Sequence, residues 1–308
     1  MPGAFAHISA VNKASANTAL AKLNVPQHVK KTLSQYQAFL EFGCVSPDYP
    51  YLAIGNHAQN KWADEMHYNE VGKLIATLID LIKQLEDHNQ KKAFAWLCGF
   101  VAHVAADITI HPVVELKVGP YTENAKDHRI CEMHQDTYIW HKVMNLGNIG
   151  LADRVKENIG SCVDEHNEDS IDLIIYDVWQ TTLVAVYPHY AEECPPDINR
   201  WHHGFQTVVN HAEESHKLFA WARHVASAQG LTYPLPEEVT SEFVEGLQTP
   251  HGIQHYDEIF DRAVSTIQLF WEKTAEAVFE NGATDFFKNW NLDTGFCEDG
   301  VLTAWVKI

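Results

Sequence analysis

Residues 103–111 read HVAADITIH, and residues 128–132 read HRICE. In both stretches a histidine or a carboxylate recurs at every fourth position. Because residues i and i+4 share one face of an α-helix, each stretch directs these side chains in nearly one direction. Imidazole nitrogen and carboxylate oxygen together suit zinc and its neighbours in the transition series. The alternative is ordinary amphipathic helices with buried or surface histidines, but five such residues in two i,i+4 series favour a metal site.

The spacing within the first stretch predicts more than one metal ion. His103 and His111 are eight residues apart, which is about 12 Å along a helix axis and far for one ion to bridge. Asp107 lies midway between them and has two oxygens. We therefore expect two or more ions in a row, with His103 and Asp107 on one and His111 near the next.

Helical patterns cover almost the whole chain, whereas strand signals are limited to short apolar pieces such as residues 301–308. The predicted helices span about residues 26–42, 68–87, 90–110, 123–145, 169–188, 198–228, 236–247 and 253–281, with Pro112 just past the end of the third. We expect an all-α fold. Residues 1–145 would form a metal-binding helical core, and residues 146–308 a helical C-terminal region packed on it, as part of one domain or as a second.

The composition is that of a globular protein, with 46% hydrophobic and 20% charged residues in a chain of 308. A net charge of −19 argues against a nucleic-acid-binding surface, which needs clustered Lys and Arg. We see no apolar run that approaches the length of a membrane span, and so expect no transmembrane segment. The N-terminus has no basic region followed by an apolar core, and we expect a cytoplasmic location.

Three residues upstream belong to the same pattern. His7 precedes a helix, Asp48 lies in the loop sequence SPDYP, and His67 ends the sequence WADEMH. Taken singly, they could be a surface residue near the terminus, a turn former and a helix-start residue, respectively. Asp64 and Glu65 beside His67 are either partners of a ligating imidazole or solvated acids at a helix start.

Taken together, the order His, Asp, His, H-x-x-x-D, His, H-x-x-x-E resembles the zinc-dependent phospholipase C family, a helical group related in fold to the zinc-dependent single-strand nucleases. The resemblance covers roughly residues 1–145, and ligand type and order agree across seven segments. It implies a multi-helix bundle of that family with additional C-terminal helices, and a site holding two or three zinc ions.

The resemblance also implies a role for each residue. One zinc would be held by His67, His103 and Asp107 with Asp48, a second by His111, His128 and Glu132, and a third by Asp107 and His7. Asp48 would be either a ligand or the base that orients the attacking water. Tyr49 looks like the family tyrosine that borders the substrate pocket. Secreted members also ligate zinc through an N-terminal Trp, whereas this chain begins Met-Pro.

The expected function is hydrolysis of a phosphate ester by a multinuclear zinc site that activates water. A phosphodiester, as in phospholipase C, is favoured over a phosphomonoester, and a phospholipid is one candidate substrate. A nuclease of the same fold is disfavoured by the acidic balance. An HD-type phosphohydrolase needs a contiguous His-Asp dipeptide, which this chain lacks. The alternative from another class is a non-catalytic helical metal-binding or interaction protein without an open coordination position.

Overall fold

The structure is a computed structural model and describes residues 3–53, 55–145, 153–215 and 233–306. In chain order its α-helices are α1 (Ala4–Ala14), α2 (Asn17–Leu20), α3 (Gln27–Gln35), α4 (Gln37–Val45), α5 (His57–Tyr68), α6 (Val71–Lys83), α7 (Asp87–Val118), α8 (Tyr121–Val143), α9 (Asp153–Gly160), α10 (Leu173–Val186), α11 (Pro188–Glu193), α12 (Ile198–Ser215) and α13 (Tyr256–Phe279). Short 3-10 helices cover Ser46–Leu52, Pro236–Glu238, Ser241–Phe243 and Thr303–Trp305. The strands form two antiparallel hairpins, β1 (Val163–Asp164) with β2 (Asn167–Ile171) and β3 (Leu247–Thr249) with β4 (Gly252–Gln254). The predicted all-α fold is confirmed.

Helix α7 is the centre of the protein. It has 32 residues, which makes it about 48 Å long. Every residue from 93 to 114 is buried, because α1, α4, α6, α8 and α13 all pack around it. A helix that is buried on all sides must be apolar on all sides, so the polar residues within α7 stand out as a site.

The boundary predicted at Pro112 was wrong. Instead of ending at residue 110, α7 continues through Pro112 to Val118 and ends before Gly119, whose φ is +89°. Proline lacks the N–H that would bond the carbonyl of Ile108, and packing on all sides keeps the helix intact despite that loss. The longer helix also corrects the prediction that no apolar run approaches the length of a membrane span. Helix α7 is long and apolar enough to cross a membrane, but its apolar window is wholly buried inside the protein.

Two glycines let α4 and α7 approach closely. A Cβ at Gly43 would lie 2.0 Å from the carbonyl oxygen of Trp96, and a Cβ at Gly99 would lie 2.2 Å from that of Leu40. Any side chain at either position would force the helices apart. The close crossing brings the carbonyl of Cys44, near the end of α4, against His103 of α7.

The C-terminal half packs on the same core as the N-terminal half. One hydrophobic cluster contains residues from α1 through to Trp305, and α13 lies against α7 and α1. The boundary predicted between residues 145 and 146 adjoins residues 146–152, which lie outside the described part of the chain. The part of the predicted helix 198–228 that follows residue 215 also lies outside the described residues.

Three other predicted elements differ in the C-terminal half. The helix expected at 169–188 starts only at Leu173, because the Asp172 side chain accepts the N–H groups of Ile174 and Ile175 and caps α10 there. The segment 236–247 forms 3-10 turns and then enters β3, with Gly246 at a φ of +63°. The apolar C-terminal stretch 301–308, which gave a strand signal, forms a 3-10 turn at Thr303–Trp305. Its last two residues, 307–308, lie outside the described part of the chain.

Helix α5 is attached to the C-terminal half along its length. Near its start, the Gln59 side chain donates to the carbonyl of Pro195 at 2.8 Å and accepts from the Trp201 indole at 2.8 Å. At its end, the carbonyl of His67 accepts the N–H of Leu292 at 3.0 Å. Segments far along the chain therefore fix the helix that carries His67.

Candidate metal centre

Five elements bring the predicted ligands together. Within the described residues they form three groups, and the possible ligand atoms in each group lie within 4.8 Å of one another. The groups are Asp48, His67 and His103 (group 1); His7, His103 and Asp107 (group 2); and His111, His128 and Glu132 (group 3). These groups contain all eight residues that the sequence predicted as metal ligands.

Group 1 is built where the 3-10 turn after α4 and the end of α5 meet the middle of α7. The Nε2 atom of His67 lies 3.3 Å from Asp48 Oδ1 and 3.2 Å from His103 Nε2. Two ligands at about 2.0–2.1 Å from one tetrahedral zinc are about 3.3 Å apart. The three side chains are therefore spaced as ligands of one ion.

Group 2 shares His103 with group 1, and Asp107 lies between the two. Its Oδ2 atom is 3.1 Å from His103 Nε2 and 3.8 Å from His67 Nε2, while its Oδ1 atom is 3.3 Å from His7 Nε2. The rings of His7 and His103 stack with centroids 4.0 Å apart. Asp107 thus has one oxygen toward each group, as a bridging carboxylate would. His103 also belongs to both groups, which the sequence did not indicate.

Group 3 lies one helical turn further along α7, where α8 crosses it. His128 Nδ1 and Glu132 Oε1, one turn apart on α8, are separated by 3.7 Å. His111 supplies the α7 side of the group, and its ring stacks on that of His128 at 6.3 Å. The i,i+4 spacings thus direct ligands from two helices toward one point.

Backbone carbonyls orient three of the imidazoles. The Nδ1–H of His67 donates to Ala63 O at 2.7 Å, the Nδ1–H of His103 to Cys44 O at 2.9 Å, and the Nε2–H of His128 to Gly119 O at 2.6 Å. Each bond leaves the opposite nitrogen of the ring directed into its group. This arrangement is typical of metal-bound histidines, whose second nitrogen is held by a carbonyl or carboxylate.

Several buried polar atoms of the three groups make no hydrogen bond to any described residue. They are both ring nitrogens of His7 and His111, Nδ1 of His128, Oδ1 of Asp48 and both carboxylate oxygens of Asp107. Buried polar atoms without partners are costly, and a cluster of them calls for an explanation. A set of imidazole nitrogens and carboxylate oxygens at this spacing fits zinc.

The pKa shifts reflect a compact buried cluster. Burial would lower the pKa of His103, but Asp107 and Asp48 raise it to about 9. Burial and the neighbouring His103 lower the pKa of His7, and burial lowers that of His111 well below its usual value. Although burial raises the pKa of a carboxyl group, His103 beside them keeps Asp107 and Asp48 below their usual range. The carboxylates are therefore ionised at neutral pH, in the form that binds a cation.

Asp136 holds α1 in place. Its carboxylate accepts the Ala6 N–H at 2.8 Å and the Tyr233 hydroxyl at 3.1 Å. A Cβ at Gly3 would lie 1.9 Å from Asp136 Oδ2, so the first turn of α1 lies directly against this side chain. Asp136 thereby sets the position of His7 relative to α8, which carries two ligands of group 3.

Tyr49 does not face the ligands. Its side chain is fully buried, and its ring packs against Phe42, Phe205 and His202. That position gives no support to the predicted contact with substrate. Tyr51, which the sequence analysis missed, lies nearer: its ring centroid is 6.2 Å from that of His67, and its hydroxyl donates to Asp64 at 2.8 Å.

Asp293 was also missed. Its Oδ1 atom lies 3.9 Å from His111 Nδ1, and its Oδ2 atom accepts the Tyr68 hydroxyl at 2.8 Å. Asp293 is 182 residues beyond His111 in the chain, and no local pattern marks it.

Of the two acids considered as partners of His67, Asp64 accepts from Tyr51 and Glu65 accepts from Asn69, while the His67 ring bonds to a carbonyl.

Comparison with known proteins agrees with this geometry. No curated protein and no solved structure matches the chain significantly. The family model for zinc dependent phospholipase C matches residues 6–188, which is more than half of the chain and includes all eight residues of the three groups. The chain therefore belongs to the zinc-dependent phospholipase C family.

Proposed function

We propose that the protein is a zinc metallohydrolase that cleaves a phosphodiester, with a phospholipid as the substrate class and two or three zinc ions in the three ligand groups. The observation that carries the proposal is the arrangement of the groups along α7. Groups 1 and 2 share His103 and have Asp107 between them, and group 3 follows one turn away. Such a row of sites suits a phosphate ester, which has several oxygens to be held at once.

The zinc ions, when bound, would hold phosphate oxygens and lower the pKa of a water molecule that attacks phosphorus. The chain supplies the orientation, because carbonyls fix the rings of His67, His103 and His128 before any substrate arrives. Preorganised charges of this kind contribute most of the stabilisation in phosphoryl transfer.

Asp48 is the residue through which group 1 reaches solvent. Its side chain is 21% exposed, whereas those of His67 and His103 are fully buried. Neighbouring histidines lower its pKa, so it is ionised at neutral pH and able to accept a proton from water. Asp48 is therefore suited to act as a ligand or as the base, and the two roles have different experimental consequences.

Exposure also favours a catalytic site over a purely structural one. Glu132 in group 3 is 12% exposed, so both ends of the row have a carboxylate that contacts solvent. A structural zinc site is closed by protein ligands, whereas a catalytic site leaves a position for water. The net charge of −19 supports a substrate other than a nucleic acid.

The test couples metal analysis to hydrolysis. The purified protein should contain at least two zinc equivalents and hydrolyse bis(p-nitrophenyl) phosphate or phosphatidylcholine vesicles, and chelation should abolish the activity until zinc is restored. Absence of zinc, or hydrolysis that chelation leaves unchanged, would contradict the proposal.

Asp48→Asn distinguishes the two roles of that residue. Loss of a general base should lower kcat by about 10²–10⁴-fold with the zinc content unchanged, whereas loss of a ligand should lower the zinc content as well. Asp80→Asn is the matched control, because Asp80 is an exposed carboxylate on α6, away from the three groups. It should leave both quantities unchanged.

A further inference from the structure

A cavity of about 500 Å³ lies between α13 and the C-terminal segment that follows it. None of its lining residues belongs to the three ligand groups. Its volume falls within the range of about 300–1,000 Å³ that is typical of small-molecule sites. The cavity is therefore a candidate binding site that is separate from the metal centre.

Apolar side chains line much of this cavity. They are Leu269 and Phe270 on α13, and Phe286 and Trp290 on the C-terminal segment. The Phe270 ring packs against Phe286 with centroids 5.1 Å apart and against Trp290 with centroids 5.4 Å apart. The aromatic rings thus form one continuous surface. Such a surface suits a hydrocarbon body, because removing apolar area from water is favourable.

Two cations also line the cavity, Arg262 on α13 and Lys288 on the C-terminal segment. Within the described residues, neither of them forms an ion pair with a carboxylate. The third charged residue of the lining, Asp261, is paired with Lys13. In a chain with 41 acidic and 22 basic residues, cations without acidic partners are unexpected. The cavity therefore combines an apolar wall with uncompensated positive charge.

The Arg262 guanidinium is held in a fixed position. One Nη1–H donates to the carbonyl of Ala304 at 3.1 Å, and one Nη2–H donates to His251 Nδ1 at 3.1 Å. The guanidinium also lies over the Trp305 ring, 4.7 Å from its centroid. Arginine has five N–H donors, so these contacts leave donors for an anion. A planar guanidinium matches a carboxylate or a phosphate group in particular.

We propose that this cavity binds an amphiphilic anion, which is a single hydrocarbon chain with a carboxylate or phosphate head. The head pairs with Arg262 and Lys288, and the chain lies along the apolar wall formed by Phe270, Phe286 and Trp290. Charge complementarity selects an anionic head over a cationic one. The inference goes beyond the proposed function, because it requires none of the eight metal-ligand residues.

Calorimetric titration of the purified full chain with its metal retained tests the ligand class. Laurate and dodecyl phosphate, used below their micelle concentrations, should bind with one equivalent each, and the tighter of the two identifies the preferred head. Dodecyltrimethylammonium has the same chain with the opposite charge, and acetate has the head without the chain. Both should bind at least tenfold more weakly than laurate. Equal binding of the cationic and anionic dodecyl compounds would overturn the proposal.

Variants of the lining test the location. Lys288→Gln should weaken laurate binding about tenfold, because it removes a charge-assisted contact to the head. Lys288→Arg keeps the charge and should bind as the parent protein does. Lys91→Gln is the matched control, because Lys91 is an exposed cation near the start of α7 and does not line the cavity.

A further variant adds the opposite charge. Ser265 is an exposed lining residue on α13, and Ser265→Glu should weaken laurate binding while the helical content stays unchanged. Equal laurate affinities in the Lys288→Gln, Ser265→Glu and Lys91→Gln variants would show that the amphiphile binds elsewhere, the metal centre included. That result would overturn the proposed site and leave the proposed hydrolysis untouched.

Discussion

Replacing Asp107 by Asn tests the centre of the site, because it removes a buried charge and keeps the volume. Asp107 has one oxygen toward His103 and the other toward His7. Without its charge, two adjacent cations would no longer be held together. We expect Asp107→Asn to lose at least one zinc equivalent and nearly all hydrolytic activity, while circular dichroism shows an unchanged helical content.

The same variant has a measurable effect on the metal-free protein. Burial lowers the pKa of His103, but Asp107 and Asp48 outweigh it and the pKa rises from 6.5 to about 9, a net shift that corresponds to about 3 kcal/mol in favour of the protonated ring. Because the folded-state pKa is the higher one, this stabilisation is fully present below pH 6.5 and is lost as the pH rises through 9. In the presence of chelator, Asp107→Asn should therefore be less stable than the parent protein at pH 6, by part of this roughly 3 kcal/mol because Asp48 contributes the rest, and the difference should decrease as the pH rises through 9.

Urea unfolding at pH 6 and pH 9.5, with chelator present, measures that difference. Asp80→Asn serves again as the control, because it removes an exposed carboxylate from a helix that contributes no ligand. An Asp107→Asn protein with full zinc content, full activity and the parental pH dependence would refute the bridging role and the electrostatic reasoning together.

Two further predictions concern the whole fold. Removing zinc should lower the melting temperature, because ligands from five elements act as cross-links. A site saturated at 1,000 times its Kd contributes about 4 kcal/mol to the free energy of unfolding. A melting temperature unaffected by chelator would contradict zinc binding. Gly99→Ala should destabilise the protein, because the new Cβ would lie 2.2 Å from the Leu40 carbonyl oxygen. Overpacking of this kind costs about 1–3 kcal/mol, and the gain in helix propensity of about 1 kcal/mol offsets only part of that cost. Gly160→Ala is the control and should not destabilise the protein, because no atom lies within 4 Å of the new Cβ. Equal unfolding free energies for the two variants would argue against the close crossing of α4 and α7.

The ligands on α7 and α8 could be predicted because helical geometry alone decides how residues four apart are directed. His103, Asp107 and the pair His128 and Glu132 meet at the distances that this periodicity implies. The end of α7 could not be predicted in the same way. Proline normally ends a helix, and here the packing of other elements on all sides of α7 keeps the helix intact past Pro112.

Residues whose role depends on tertiary packing were beyond the sequence patterns. Tyr49 and Tyr51 are two residues apart in the same 3-10 turn, yet the first is buried among aromatic rings and the second lies beside His67. Nothing in the local sequence distinguishes them. Asp293 is likewise brought to His111 by the path of the C-terminal chain, which no periodicity encodes.

The attachment of α5 to the C-terminal half has a consequence for how this family member can diverge. A chain that ended at residue 188 would retain all eight residues of the ligand groups, but it would lose the Pro195 and Trp201 partners of Gln59 and the Leu292 partner of His67. The helix carrying His67 would then be free to shift relative to α7. Substitutions after residue 188 can therefore alter the geometry of the ligand groups while the eight residues that form them stay unchanged.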